Sequence, residues 1–131
     1  MYDQDLPYAY NRKEAKDHGE GGVLVGASME GKRVLIVDDV ITAGTAIGEA
    51  MSILKKASAK ATAVCISLDR QEKVAQDDTR SAIQVVKEKY GIEVISIANL
   101  NGLVSFLESS GTKDSEAQVR IKAYRDEYGV L

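Results

Sequence analysis

Two adjacent carboxylates at the end of an apolar run are the first feature with chemical content. Val34-Leu35-Ile36-Val37 leads into Asp38-Asp39, then Val40-Ile41, then the small-residue turn Thr42-Ala43-Gly44-Thr45-Ala46. If the apolar run is a buried parallel strand, the acids sit beyond its carboxyl end, where open α/β sheets form their ligand crevice. The turn would then open a helix, whose unpaired N–H groups and dipole favour a phosphate, with two hydroxyls beside them. Gly44 lets the backbone come close to such a ligand. Carboxylates repel phosphate, so the acids should face hydrogen-bond donors, such as ribose hydroxyls, or a Mg²⁺ ion with its waters. Ribose 5-phosphate offers both kinds of group. The plainer alternative is that the acids merely close a strand and Thr42 or Thr45 caps the helix. No Gly-Lys-Ser, Gly-Lys-Thr or Gly-x-Gly-x-x-Gly is present here, which removes the Walker-type kinase and dinucleotide readings.

Upstream, the segment 10–22 combines Arg12, Lys13 and Lys16 with His18, the chain's single histidine. Glu14, Asp17 and Glu20 balance the cations, so a solvated turn with Lys13 and Asp17 paired four residues apart is the plain reading. Gly19, Gly21 and Gly22 favour a mobile loop instead, and a cationic loop suits a lid over a charged leaving group. Diphosphate leaving a sugar gathers negative charge, which Arg12 and Lys16 are suited to stabilise, while His18 can donate a proton or hydrogen bond. Arg70, in Leu68-Asp69-Arg70-Gln71-Glu72, falls just past another apolar run, where a guanidinium can grip a carboxylate through two parallel bonds. A surface pair with Glu72 or Asp69 is the alternative.

These groups need a scaffold, and the hydrophobic pattern supplies one. Strands are expected at 23–25, 33–37, 61–68 and 93–98, with a turn at Glu30-Gly31-Lys32. Val34 to Val37 is apolar at every position, as a strand covered on both faces should be. Ile47, Ala50, Met51 and Leu54 share one face of a helix over 45–56, whose last residues Lys55 and Lys56 suit its dipole. Further helices are expected at 81–90, ended by Gly91 as a left-handed cap, at 100–108, and at 115–128 with Ala117, Ile121, Tyr124 and Tyr128 in one stripe and Gly129 as its stop. Alternating strands and helices with right-handed crossovers predict a Rossmann-like, doubly wound parallel α/β sheet of about four strands.

The composition sets bounds on the class. A chain of 131 residues with 44% hydrophobic content forms one domain spanning 1–131. A net charge of -3 with 28% charged residues suits neither a nucleic-acid partner nor a disordered tail, so a small molecule is the default ligand. The lone Cys65 lies in an apolar strand and reads as buried, in keeping with a reducing, cytoplasmic setting. No apolar stretch reaches the roughly 18 residues of a membrane span, and Met1-Tyr2-Asp3-Gln4-Asp5 is too acidic and polar for a signal peptide.

The segment 34–46 resembles the signature of the type I phosphoribosyltransferases that binds phosphoribosyl pyrophosphate (PRPP). That resemblance implies that Asp38 and Asp39 bind the ribose hydroxyls and that Val40, Ile41, Thr42, Ala43, Gly44, Thr45 and Ala46 hold the 5-phosphate. It also implies Mg²⁺ bound through the pyrophosphate and waters near Asp38 and Asp39, with no direct protein ligand. Asn11-Arg12-Lys13-Glu14-Ala15-Lys16-Asp17-His18-Gly19 is similar to the catalytic loop of the orotate-specific members. In those, the loop crosses a homodimer, so Arg12, Lys13, Lys16 and His18 are implied to act on PRPP held by the neighbouring subunit. Lys16, Arg12, His18, Asp38 and Asp39 are then the catalytic set, and Thr42 and Arg70 the orotate-binding residues.

The resemblance runs from about Tyr8 to the C-terminus. Family members are longer, with a hood over the base, a further core strand and helix, and another lysine and tyrosine for PRPP, so this chain resembles an N-terminally shortened relative. The expected reaction is transfer of the phosphoribosyl group from PRPP to orotate, giving orotidine 5'-monophosphate and pyrophosphate in pyrimidine synthesis. A non-catalytic PRPP-binding or dimerising domain is the alternative. A purine-specific transferase is disfavoured by the loop and by Arg70.

Overall fold

The computed structural model describes residues 5–12, 24–42, 44–110 and 115–130. In chain order the elements are β1 (Ala9–Asn11), β2 (Leu24–Gly26), β3 (Arg33–Asp38), α1 (Thr45–Lys56), β4 (Lys60–Asp69), β5 (Lys73–Ala75), β6 (Asp78–Ser81), α2 (Ala82–Tyr90), β7 (Glu93–Asn99), α3 (Leu100–Ser109) and α4 (Ser115–Tyr128).

The parallel α/β arrangement expected from the alternation of strands and helices is present. β4 is the central strand, with β3 and β7 parallel on either side. Val37, Cys65 and Ile95 lie in register across the three strands, as do Ile36, Val64 and Val94. Among the described residues the sheet has three strands rather than four, because β2 pairs antiparallel with β1 in a separate ribbon. A second ribbon, β5–β6, occupies the stretch between β4 and α2, where the hydrophobic pattern shows no strand.

Both crossovers step the same way across the sheet, so right-handed connections carry α1 and α2 to one face. There Ile47 and Leu54 of α1 and Val86 of α2 close over Val64 and Ile66 of β4. Ile47, Val64, Ile66 and Val86 are almost fully buried, and each such side chain contributes about 1.5–3 kcal/mol. Gly48 allows the two helices to approach closely, since a Cβ there would lie 3.0 Å from the Tyr90 hydroxyl. α2 begins with a capping box in which Ser81 and Gln84 satisfy each other's backbone N–H, and ends at Gly91 with φ 64°.

The opposite face of the sheet is open, contrary to the expectation that 34–37 is covered on both sides. Val37 is 74% and Ile97 79% exposed, with Leu35 and Ile95 also largely in solvent. Cys65 faces the same side and is half-buried rather than buried. The two crossover helices, α1 and α2, lie on the other face and leave this one without their cover.

The β5–β6 ribbon is tied to α2 by charge. Arg80 donates to both oxygens of Asp78 and, at 2.6 Å, to Glu88. Arg80's hydrogen bonds, from its side chain first and its backbone second, lower the Asp78 carboxyl from 3.8 to about 2. The contribution of this contact is therefore fully present above the ordinary carboxylate value and is lost as pH falls toward about 2. An NMR titration of Asp78 should show this low midpoint, and Arg80→Ala should return it to the ordinary range.

Candidate functional site

The end of β3 is fixed from three directions. Asp38 Oδ1 accepts the Asp39 N–H at 2.9 Å, and Asp39 Oδ1 accepts the Val40 N–H at 2.7 Å. The Asp39 carbonyl accepts from Ser67 at 3.0 Å and Leu68 at 3.1 Å, tying the turn to β4. Each carboxylate thus has one oxygen engaged by backbone, while the other has no partner among the described residues and can meet a ligand's donors.

Beyond the acids, Gly44 stands at the N-cap of α1 in the left-handed conformation (φ 71°, ψ 9°) with no side-chain cap. The alternative in which Thr42 or Thr45 caps the helix is therefore not what forms. α1 has no acidic residue in its first turn, and its first backbone bond runs from Gly48 N to the Gly44 carbonyl at 2.9 Å. The N–H groups ahead of it are left for an anion. They face a cavity of about 330 Å³ lined by Asp38, Val40, Ile41, Thr42, Gly44, Thr45, Ala46, Ile47 and Glu49. Glu49 was not singled out by the sequence pattern; it comes to the rim because it lies one turn into α1. Ala43 lies outside the described residues.

Gly44 can be tested directly. A Cβ would meet Val86 Cγ2 at 3.4 Å, so space permits alanine, but the positive φ does not favour it. The left-handed conformation costs an L-residue about 1–2 kcal/mol. If an anion is held at this turn, Gly44→Ala should weaken it roughly tenfold, measured with inorganic phosphate by calorimetry, with the global fold retained.

Arg70 follows β4 at the same carboxyl end of the sheet, two residues beyond the bond from Leu68 to Asp39. It does not line the cavity at the turn. Its Nη2 is paired with Glu72 at 2.9 Å, so the surface pair considered as the alternative does form. A larger cavity, about 620 Å³, lies elsewhere, between α3 and α4. The smaller one is the candidate site, because acids, hydroxyls and an uncapped helix terminus converge there.

The loop residues Lys13, Lys16 and His18 lie outside the described residues. Arg12 is described and half-buried just after β1. Asn11 pairs with Leu24, so the two ends of the loop are joined at the base of the β1–β2 ribbon.

The chain matches the phosphoribosyl transferase domain family over residues 3–98. It is 55% identical over 130 residues to an orotate phosphoribosyltransferase of Polynucleobacter asymbioticus, covering 96% of this chain and 58% of that protein. An orotate phosphoribosyltransferase of Yarrowia lipolytica is 54% identical over 121 residues, covering 92% of this chain and 54% of that one. The crystal structure of the Francisella tularensis orotate phosphoribosyltransferase superposes with a TM-score of 0.78 at 39% identity, covering 98% of this chain and 58% of that one. The chain thus spans between half and two thirds of the length of these relatives.

Proposed function

The chain belongs to the phosphoribosyl transferase domain family, and from that premise we propose that it is the PRPP-binding portion of an orotate phosphoribosyltransferase. The reaction is transfer of the 5-phosphoribosyl group from PRPP to orotate, giving orotidine 5'-monophosphate and pyrophosphate. The observation that carries this reading is the uncapped start of α1 at Gly44, directly beyond a parallel strand that ends in Asp38 and Asp39.

In this reading the backbone N–H groups at 42–46 hold the 5-phosphate. The free oxygens of Asp38 and Asp39 accept hydrogen bonds from the ribose hydroxyls and hold the ring with its anomeric carbon toward the incoming base. Arg70 and Thr42 take the orotate carboxylate and ring. Arg12, Lys13, Lys16 and His18 meet the diphosphate bound by a partner subunit, where positive charge counts most as the leaving group departs.

Among the described residues no group of three or more His, Cys, Asp or Glu side chains is placed to hold a metal ion. Two carboxylates with one free oxygen each fit Mg²⁺ reached through waters and diphosphate oxygens, a hard cation that keeps much of its hydration. When bound, the ion would neutralise diphosphate charge.

A non-catalytic PRPP-binding or dimerising fragment is the second reading, supported by the exposed apolar sheet face of Leu35, Val37, Ile95 and Ile97. Among the described residues no helix is long and apolar enough to cross a membrane. Titration of the chain with PRPP, with and without Mg²⁺, separates PRPP binding from dimerising alone. Orotate consumption in the same sample separates the first from the second. Absence of PRPP binding with Mg²⁺ present would overturn the first reading and leave only a dimerising fragment, which a monomer in sedimentation would overturn in turn.

A further inference from the structure

Arg70 is not a free side chain at a strand end. Glu72 takes its Nη2 through one carboxylate oxygen, and the other oxygen accepts the Tyr124 hydroxyl from α4. That hydrogen bond, ahead of burial, raises the Tyr124 phenol above its ordinary value, which keeps it a donor. Tyr124 packs on Tyr128 with ring centroids 4.9 Å apart. The backbone is fastened at the same place: Glu72 bridges Gly129, and Val130 N–H donates to the Gln71 carbonyl at 2.8 Å. Gln71 holds φ 54° and its side chain accepts from Asn101 N–H at 2.9 Å, so α3 anchors the segment too.

One guanidinium corner is therefore held while an edge remains for another carboxylate. Arg70 Nε is buried and has no partner among the described residues. A buried N–H left unpaired is costly and makes this conformation depend on the contacts that hold it; an incoming carboxylate meets the exposed part of the guanidinium, whose side chain is 35% accessible, beside the corner that Glu72 holds.

We propose that Glu72, held by Tyr124, is a positioning residue that sets the Arg70 guanidinium to receive the base's carboxylate. This rests on the assignment of Arg70 to orotate. A guanidinium already fixed by one corner loses less side-chain freedom when the ligand arrives. The C-terminal helix thereby acts on base recognition without touching the base.

Orotate and PRPP affinities are measured for the full chain, for Tyr124→Phe and for Glu72→Gln, each alone and combined with Arg70→Ala. Each single variant should weaken orotate by about fivefold while PRPP stays within about twofold of the parent, well inside the effect of one lost hydrogen bond. In the Arg70→Ala background neither should have any further effect on orotate. The Arg70 Nε–H resonance should exchange with water faster in both variants. If Arg70→Ala loses orotate while Tyr124→Phe and Glu72→Gln keep parental orotate affinity and Nε–H exchange, the positioning role is overturned and the base assignment stands. A parent chain that binds PRPP but no orotate overturns the base assignment and the positioning role with it.

Discussion

PRPP affinity should fall at least about a hundredfold when Asp38 and Asp39 are both replaced by asparagine, with little change in the fold. Hydrogen bonds to charged groups are typically worth about 1.5–3 kcal/mol each, and two carboxylates lose that charge here. Asparagine keeps the shape and an acceptor oxygen, so the bonds from Asp39 N–H and Val40 N–H can persist. What disappears is the charge facing the ribose hydroxyls and the waters of Mg²⁺. Calorimetry on the double variant decides the matter, and unchanged affinity would remove these acids from the site.

Lys16→Ala should reduce kcat by roughly 30- to 1000-fold and change PRPP affinity far less. A cation whose contact strengthens as the diphosphate departs acts on the transition state, and one such contact is typically worth about 2–4 kcal/mol. The measurement belongs in the 131 residues joined to the further sequence that longer relatives carry. A variant that binds PRPP weakly yet keeps kcat would show that Lys16 only docks substrate. Because the loop is proposed to serve a partner's site, mixing this variant with the Asp38→Asn, Asp39→Asn chain should restore part of the turnover. Only a hybrid dimer combines one intact loop with one intact turn. A stable monomer in sedimentation, with no recovery on mixing, would remove the dimer.

The β3–α1 unit was readable because every level of its sequence agrees. Val34 to Val37 has no polar break, and Ile47, Met51 and Leu54 return at helical spacing. The bounds of α1 and α4, 45–56 and 115–128, come directly from that periodicity and from the terminal Gly129. Local pattern could not reveal whether a strand's second face has a cover, so the exposure of Leu35 and Val37 was missed. β1 and β5 have three residues each, too few to show a period. β5–β6 was hidden further because its charged residues read as loop; their pairing through Arg80 only exists once α2 brings Glu88 alongside. Arg70 was found from its place after β4, whereas its link through Glu72 to Tyr124 joins residues 52 positions apart and leaves no trace in spacing.

The central place of β4 also dictates an order of assembly. β3 and β7 never touch each other, and each pairs only with β4. Among the described strands, β3 gains its parallel neighbour only when β4 is complete at Asp69, and β4 keeps one unsatisfied side until β7 is complete at Asn99. At about 5–20 residues per second, that interval lasts on the order of a few seconds. During it the nascent polypeptide carries a long apolar strand with a free ladder of N–H and C=O groups, the kind of edge that recruits other chains. The pace of translation through residues 70–99 therefore sets how much newly made protein is exposed to misassembly before the sheet closes.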